Sequence, residues 1–238
     1  MDHYDAERFQ RDTANHRMTV LHDDGLYRHL RFQTPSPGFY GFDLITWPDR
    51  LAFSGTMATF VFARHEDMFE FFRGGKGSIH PGYWAEKVQD GRERASAYSM
   101  DRFLAEVADV VKDAEEGFPG LGGAVSKALS DEYNHEYQEG AQEFLRDFTY
   151  RTDVGHATVS KAEAAWSAAI GKTSSDERNA LWKAYQQVLR EHTFEFYDAG
   201  EWDLHDWSWE FLWACHAIVW GIAQYDAAKA AVPEAVTV

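Results

Sequence analysis

Met18–Gln33 reads MTVLHDDGLYRHLRFQ: two short runs of β-branched, aromatic and long side chains on either side of Asp23-Asp24-Gly25. An Asp-Gly pair between such runs signals a hairpin, because glycine accepts the positive φ that a tight connection demands. Two antiparallel strands are predicted. Downstream, past the turn TPSPG, comes FYGFDLITW, a third strand, and Pro48-Asp49 turns the chain into a fourth, RLAFSGTMATFVFA. Neighbouring parallel strands would need long crossovers, so short strands joined by tight turns favour an antiparallel meander.

After His65 the texture becomes helical. His65, Met68, Phe69 and Phe72 follow the i, i+3, i+4, i+7 spacing of one buried helix face, with Glu66 and Asp67 suited to the positive end of the helix. A polar helix is predicted over 2–16, a short one in PGYWAEKVQ, and one opened by Ser99 with Phe103, Val107 and Val110 on its inner face. Pro119 and the glycines of 117–123 end that helix. Further helices are predicted near 131–150, 158–170, 175–196 and 206–229, then a frayed tail, VPEAVTV. The last helix is apolar on two sides. Trp209, Trp213, His216 and Trp220 gather on one, Trp207, Phe211, Ala214, Ile218, Ile222 and Tyr225 on the other, so it should lie sandwiched. The predicted fold is α+β, an N-terminal four-stranded antiparallel meander packed with a mainly helical C-terminal part. It reads as a single domain over 1–238, with a sheet-containing part at 1–98 and an acidic helical part at 99–238 that includes the central helix 206–229.

Nine Trp, eleven Tyr and seventeen Phe among 238 residues supply a large core. No signal peptide or membrane-spanning run is evident, and one cysteine, Cys215, rules out an intramolecular disulfide and a cysteine-rich zinc site. The protein is expected in the cytoplasm. Of the net charge of -16, residues 99–238 carry -14, with 25 Asp/Glu against 11 Lys/Arg. Such a field repels nucleic acid and anionic membranes and attracts basic protein surfaces, or simply keeps the chain soluble.

Catalytic and metal motifs fail on their requirements. Gly171-Lys172-Thr173 lacks the first glycine and preceding strand of a phosphate loop. Glu132-x-x-His135 has no second such pair, and His192 with Glu195 has no third ligand. Cys215 beside His216 is sequence adjacency only. No catalytic residue, metal or cofactor is assigned. His29, His65, His80 and His216 are the acid/base candidates if the chain is an enzyme.

A better constellation lies on the second strand, where alternation puts Tyr27, His29 and Arg31 on one face and Arg28, Leu30 and Phe32 on the other. A phenol, an imidazole and a guanidinium in a row can stack on a planar ring and grip an anion. Asp43 and Trp47 can share that face, Ser54 and Thr56 add hydroxyls, and Arg73, Tyr83, Trp84 and Lys87 extend the set. The same pattern also reads as a solvated sheet face with a few ion pairs.

The segments VLHDDGLYRHLRFQ, YGFDLITWP, MFEFFRGG, HPGYWAEK and AIVWGIAQYD resemble a family of phage- and prophage-encoded accessory proteins, over residues 18–90 and 206–226. No catalytic or binding residue carries over from it. The resemblance implies an accessory role, many such proteins counteracting host defence. The favoured expectation is a protein that sequesters a nucleotide-derived immune signal without catalysis, as a homo-oligomer enclosing its ligand. The alternative is an acidic inhibitor of a host defence protein that mimics nucleic acid through a stripe of Glu132, Glu136, Glu139 and Glu143. A hydrolase of nucleotide signals ranks third.

Overall fold

The computed structural model describes residues 4–36, 38, 40–75 and 77–231. The expected strand start at Phe39, Pro37 in the preceding turn, Lys76 in the Gly-rich helix end and the tail 232–238 lie outside them, as do the first residues of the expected N-terminal helix. In chain order the elements are α1 (Ala6–Thr13), β1 (Arg17–Asp24), β2 (Tyr27–Gln33), β3 (Phe42–Trp47), β4 (Arg50–Gly55), β5 (Thr59–Ala63), α2 (Met68–Arg73), α3 (Pro81–Ala85), β6 (Val88–Asp90) and β7 (Ser96–Tyr98). They continue with α4 (Met100–Ala114), α5 (Leu121–Asp131), α6 (Gln138–Asp147), β8 (Thr149–Tyr150), α7 (Asp153–Ala169), α8 (Ser175–His192), β9 (Phe194–Glu195), β10 (His205–Trp207) and α9 (Trp209–Ala231). The chain forms two compact units, Met1–Ala97 with Asp206–Val238, and Tyr98–His205.

The first unit is built on an antiparallel meander in the order β1-β2-β3-β4-β5-β6. It has six strands, not four. The expected fourth strand is two, because Gly55-Thr56-Met57-Ala58 turns the chain between β4 and β5, with the Gly55 amide donating to the Ala58 carbonyl at 2.9 Å. The sixth is a three-residue strand that follows α3. The β1–β2 hairpin turns where expected, with Gly25 at φ 60°.

One sheet face is apolar. Leu30, Phe32, Leu44, Leu51, Phe53, Phe60 and Phe62 are all at most 1% exposed. Each such side chain stabilises the fold by about 1.5–3 kcal/mol relative to exposure. Across this face runs α9, which belongs with the sheet and not with the acidic helical segment to which the sequence pattern assigns 206–229. The first two residues of the predicted helix, Asp206 and Trp207, instead belong to strand β10, which pairs with β7, so Trp207 does not join a face of α9. As predicted, α9 is buried on two sides. Trp213 meets Phe42 and Phe53 of the sheet at 5.3 and 5.8 Å and Phe9 of α1 at 5.4 Å, while Tyr225 meets Phe69 of α2 at 5.5 Å. A side chain on Gly221 would meet Leu44 Cδ1 at 2.8 Å and the Phe32 ring at 3.1 Å, so helix and sheet approach as closely as glycine allows.

Arg28, on the covered face, is neutralised. Asp67 accepts two bonds from its guanidinium at 2.9 Å and also caps α2 by accepting from the Phe69 amide at 2.8 Å.

The second unit encloses its own core of Phe103, Val107, Leu121, Val125, Phe144, Phe148, Phe194, Phe196 and Leu204. Ser99 caps α4 as predicted, accepting from the Arg102 amide. The helix predicted near 131–150 is shorter than expected, since only α6 forms within it and a turn at 132–137 separates it from α5, where Gly140 lies so close to the Asn134 backbone that an added Cβ would overlap it. Beyond α6, β8 leads out into α7, and α8 returns into β9, its partner strand.

Candidate functional site

The uncovered face of the meander carries the sheet's polar residues. Strand register places Thr19, Arg31, Asp43, Ser54 and Thr59 in one row across β1 to β5, and His22, His29, Ile45, Ala52 and Val61 in the next. Pleating sends alternate residues outward, so the partly or fully exposed Tyr27, His29 and Arg31 lie opposite the buried Leu30 and Phe32.

Asp43 organises this face. Its Oδ1 and Oδ2 accept from Arg31 Nε and Nη2, both at 2.9 Å, and Oδ2 also bonds His29 Nε2 at 2.7 Å. Partial burial alone would raise this carboxyl, but the bonds from Arg31 and His29 outweigh it and hold it below the ordinary carboxylate range. Arg31 remains 43% exposed, with Nη1 unbonded among the described residues.

Beside Arg31 the surface opens into a shallow cavity of about 360 Å³, to which Arg31, Gln33, Gly41, Asp43, Ser54 and Thr56 contribute. Its rim is tied down by backbone. The Thr56 amide donates to the Gly41 carbonyl at 3.1 Å, and Thr56 Oγ1 accepts from the Tyr40 amide at 3.3 Å. Tyr40 has φ 73°, a region unfavourable to residues with a Cβ, and is held there by stacking on Trp213 and by a 2.9 Å bond between its carbonyl and His16 Nε2.

Six of the ten candidate ligand residues therefore belong to one side of the sheet or its rim. Tyr27 and Trp47, 54% and 36% exposed, mark one end of the face; Arg31, Ser54 and Thr56 mark the other, with His29 between. The remaining four of the wider search belong to the helices on the covered side or to the connection after them, with Trp84 the clearest case: at 2% exposure it is core, its ring against Phe72 at 4.9 Å, and no ligand can stack on it. Arg73 is engaged by Asp226 at 3.0 and 2.5 Å and by Glu70 at 2.5 Å, clasping α2 to α9. Lys87 lies over the Tyr83 ring at 4.6 Å and pairs with Glu86 at 3.0 Å. The contribution of Gly41 had no signal in the strand pattern, since it arises from the loop between β2 and β3.

Among the described residues, none of the four candidate histidines is bonded to a hydroxyl or thiol. His29 is held by Asp43, His216 packs on Phe9 at 5.7 Å, His65 on Phe71 at 5.5 Å and His80 on Trp84 at 6.0 Å. Cys215 is fully buried, and burial pushes its thiol well up. Glu132 and His135 fall in the turn after α5, and His192 ends α8 while Glu195 lies on β9, so neither pair shares a helix face. Among the described residues no group of three His, Cys, Asp or Glu is placed to hold a metal ion, and no helix is long and apolar enough to cross a membrane. The glutamate stripe is also broken, since Glu132 and Glu136 precede α6 and only Glu139 and Glu143 lie on it.

Comparison with protein families, with curated proteins and with solved structures returns no match.

Proposed function

We propose that the uncovered sheet face binds a nucleotide-derived small molecule and that the protein sequesters it without turning it over. One observation carries the reading: a single face offers exposed aromatic rings at one end and a guanidinium, hydroxyls and a cavity at the other. Tyr27 and Arg31 are four residues apart on one strand, about 13 Å, a span suited to a ligand with a base at one end and phosphate at the other. Tyr27 and Trp47 are the stacking surfaces, and Arg31 with Ser54 and Thr56 receives the anion. Asp43 fixes the guanidinium plane and leaves Nη1 to the ligand. The resemblance of residues 18–90 and 206–226 to phage and prophage accessory proteins supports the setting, in which the ligand is a host immune signal.

The test is titration calorimetry against cyclic dinucleotides and ADP-ribose derivatives, with chromatography of the ligand afterwards. One member of the panel is expected to bind and to be recovered unchanged. Arg31→Ala and Trp47→Ala should each weaken it by about tenfold or more, the scale of one lost ion contact or stacked base. Absence of heat with every compound, wild-type affinity in both variants, or conversion of the ligand would refute the proposal.

A further inference from the structure

The hairpin of α7 and α8 is short of a partner. None of the 18 residues of α8 is buried, although Leu181, Trp182, Tyr185, Val188 and Leu189 form an apolar stripe at helical spacing. On α7 only Gly155, Val159 and Ala169 are buried. Neither helix contributes to the buried core of its unit. Three of the chain's large exposed hydrophobics lie here, Val154 at 72%, Ile170 at 54% and Trp182 at 41%. Toward the turn of the hairpin, Trp166, Trp182 and Tyr185 form a mutual cluster with ring centroids 4.7, 5.7 and 5.9 Å apart, the Trp166 and Tyr185 planes within 4° of parallel. A two-helix layer with an aromatic surface that only one neighbour covers is half of a helical bundle.

Charge identifies what supplies the other half. Residues 153–192 contain five Asp/Glu and five Lys/Arg and are neutral, whereas the other residues, with 34 Asp/Glu against 18 Lys/Arg, carry the whole net charge of -16. Two copies of so acidic a chain repel each other, and they meet at least cost where neither presents excess charge. A basic partner would be drawn to the acidic surfaces instead and would gain no steering from this one. We infer that the α7–α8 hairpin is a self-association surface, on which the hairpin of a second copy of this chain packs about a two-fold axis to complete a four-helix bundle around Trp166, Trp182 and Tyr185. Such an interface is isologous, so one patch serves both copies.

Light scattering after size exclusion, with sedimentation equilibrium, measures the state of the full chain. The wild type is expected to be a dimer. Trp182→Glu should raise the dissociation constant on the order of 30-fold or more, as for a hot-spot tryptophan, while Tyr197→Glu, an exposed aromatic outside the hairpin, should leave it unchanged. A wild-type monomer at about 100 µM, a concentration that populates any dimer of micromolar affinity, would overturn the inference, and so would a Trp182→Glu variant as dimeric as wild type. Hydrogen exchange of the unmutated chain decides the matter even if the variant loses its hairpin. Amides of residues 153–192 should exchange more slowly as concentration rises, and exchange independent of concentration would refute the second copy as occupant.

Discussion

Adding one methyl group to Gly221 tests the packing that holds the sheet to its central helix. In an exposed helix interior, Gly→Ala stabilises by about 1 kcal/mol, because alanine loses less backbone entropy on folding. At Gly221 the new Cβ would sit 2.8 Å from Leu44 Cδ1 and 3.1–3.2 Å from the Phe32 ring, and both side chains are 0% exposed. Ordinary carbon contacts are nearer 3.5–4.0 Å, so one of these buried groups must shift by several tenths of an ångström or more. Overpacking of a filled core typically costs 1–3 kcal/mol. The expected net effect of Gly221→Ala is therefore a loss of up to about 2 kcal/mol. At about 3 °C per kcal/mol this lowers the melting temperature by up to about 6 °C. Gly123 on α5 is the control, because a Cβ there meets nothing within 4 Å. Gly123→Ala should be neutral or stabilising by up to about 1 kcal/mol. Thermal and urea unfolding of the two variants beside wild type measures both. A Gly221→Ala protein that gains as much stability as Gly123→Ala would refute the close helix–sheet contact.

Two further outcomes follow from the same reasoning. Gly140→Ala should cost more than Gly221→Ala, because its Cβ meets the Asn134 backbone, which cannot rotate away as a side chain can; urea denaturation of the pair ranks them. Burial would raise the Asp67 carboxyl, but hydrogen bonds from Arg28 and the Phe69 amide hold it below its ordinary 3.8. Its contribution to stability is thus complete above about pH 4 and is lost as pH falls through the depressed value. Asp67→Asn should destabilise by about 2–4 kcal/mol at neutral pH by removing the carboxylate that faces Arg28, and should flatten the acid limb of the stability profile, read from urea midpoints between pH 5 and pH 3.

Features set by local chemistry were legible in the sequence. The Asp-Gly turn, the Ser99 cap, the alternation of Tyr27, His29 and Arg31, and the double-sided burial of α9 each depend on neighbours a few positions away. The pattern failed where distant backbone intervened. An apolar run from Leu51 to Ala63 hides the turn at 55–58, and only its Ser-Gly pair hints at the break. A three-residue strand such as β6 is too short to show a period. Helical spacing drew the acidic stripe through Glu132, Glu136, Glu139 and Glu143 because it cannot register that Asn134 folds back against Gly140. The site was legible as a face but not as a network, since the bonds of Asp43 to Arg31 and His29 depend on strand register, and Trp84 looked available because burial is decided by the helices that cover it.

The sheet unit is discontinuous in the chain, with 108 residues, 98–205, between its sixth strand and the helix that covers it. During synthesis at about 5–20 residues per second, the meander therefore waits roughly 5–20 s for α9 to be made. For that interval Leu30, Phe32, Leu44, Phe53 and Phe60 lack the partners that bury them, while Tyr98–His205 already has every residue of its own core. Folding on the ribosome should thus run from the inside of the sequence outward, with the middle of the chain maturing before either end. The nascent sheet is then the segment most dependent on a chaperone, and yield in a host short of chaperones will depend on how long that face stays uncovered.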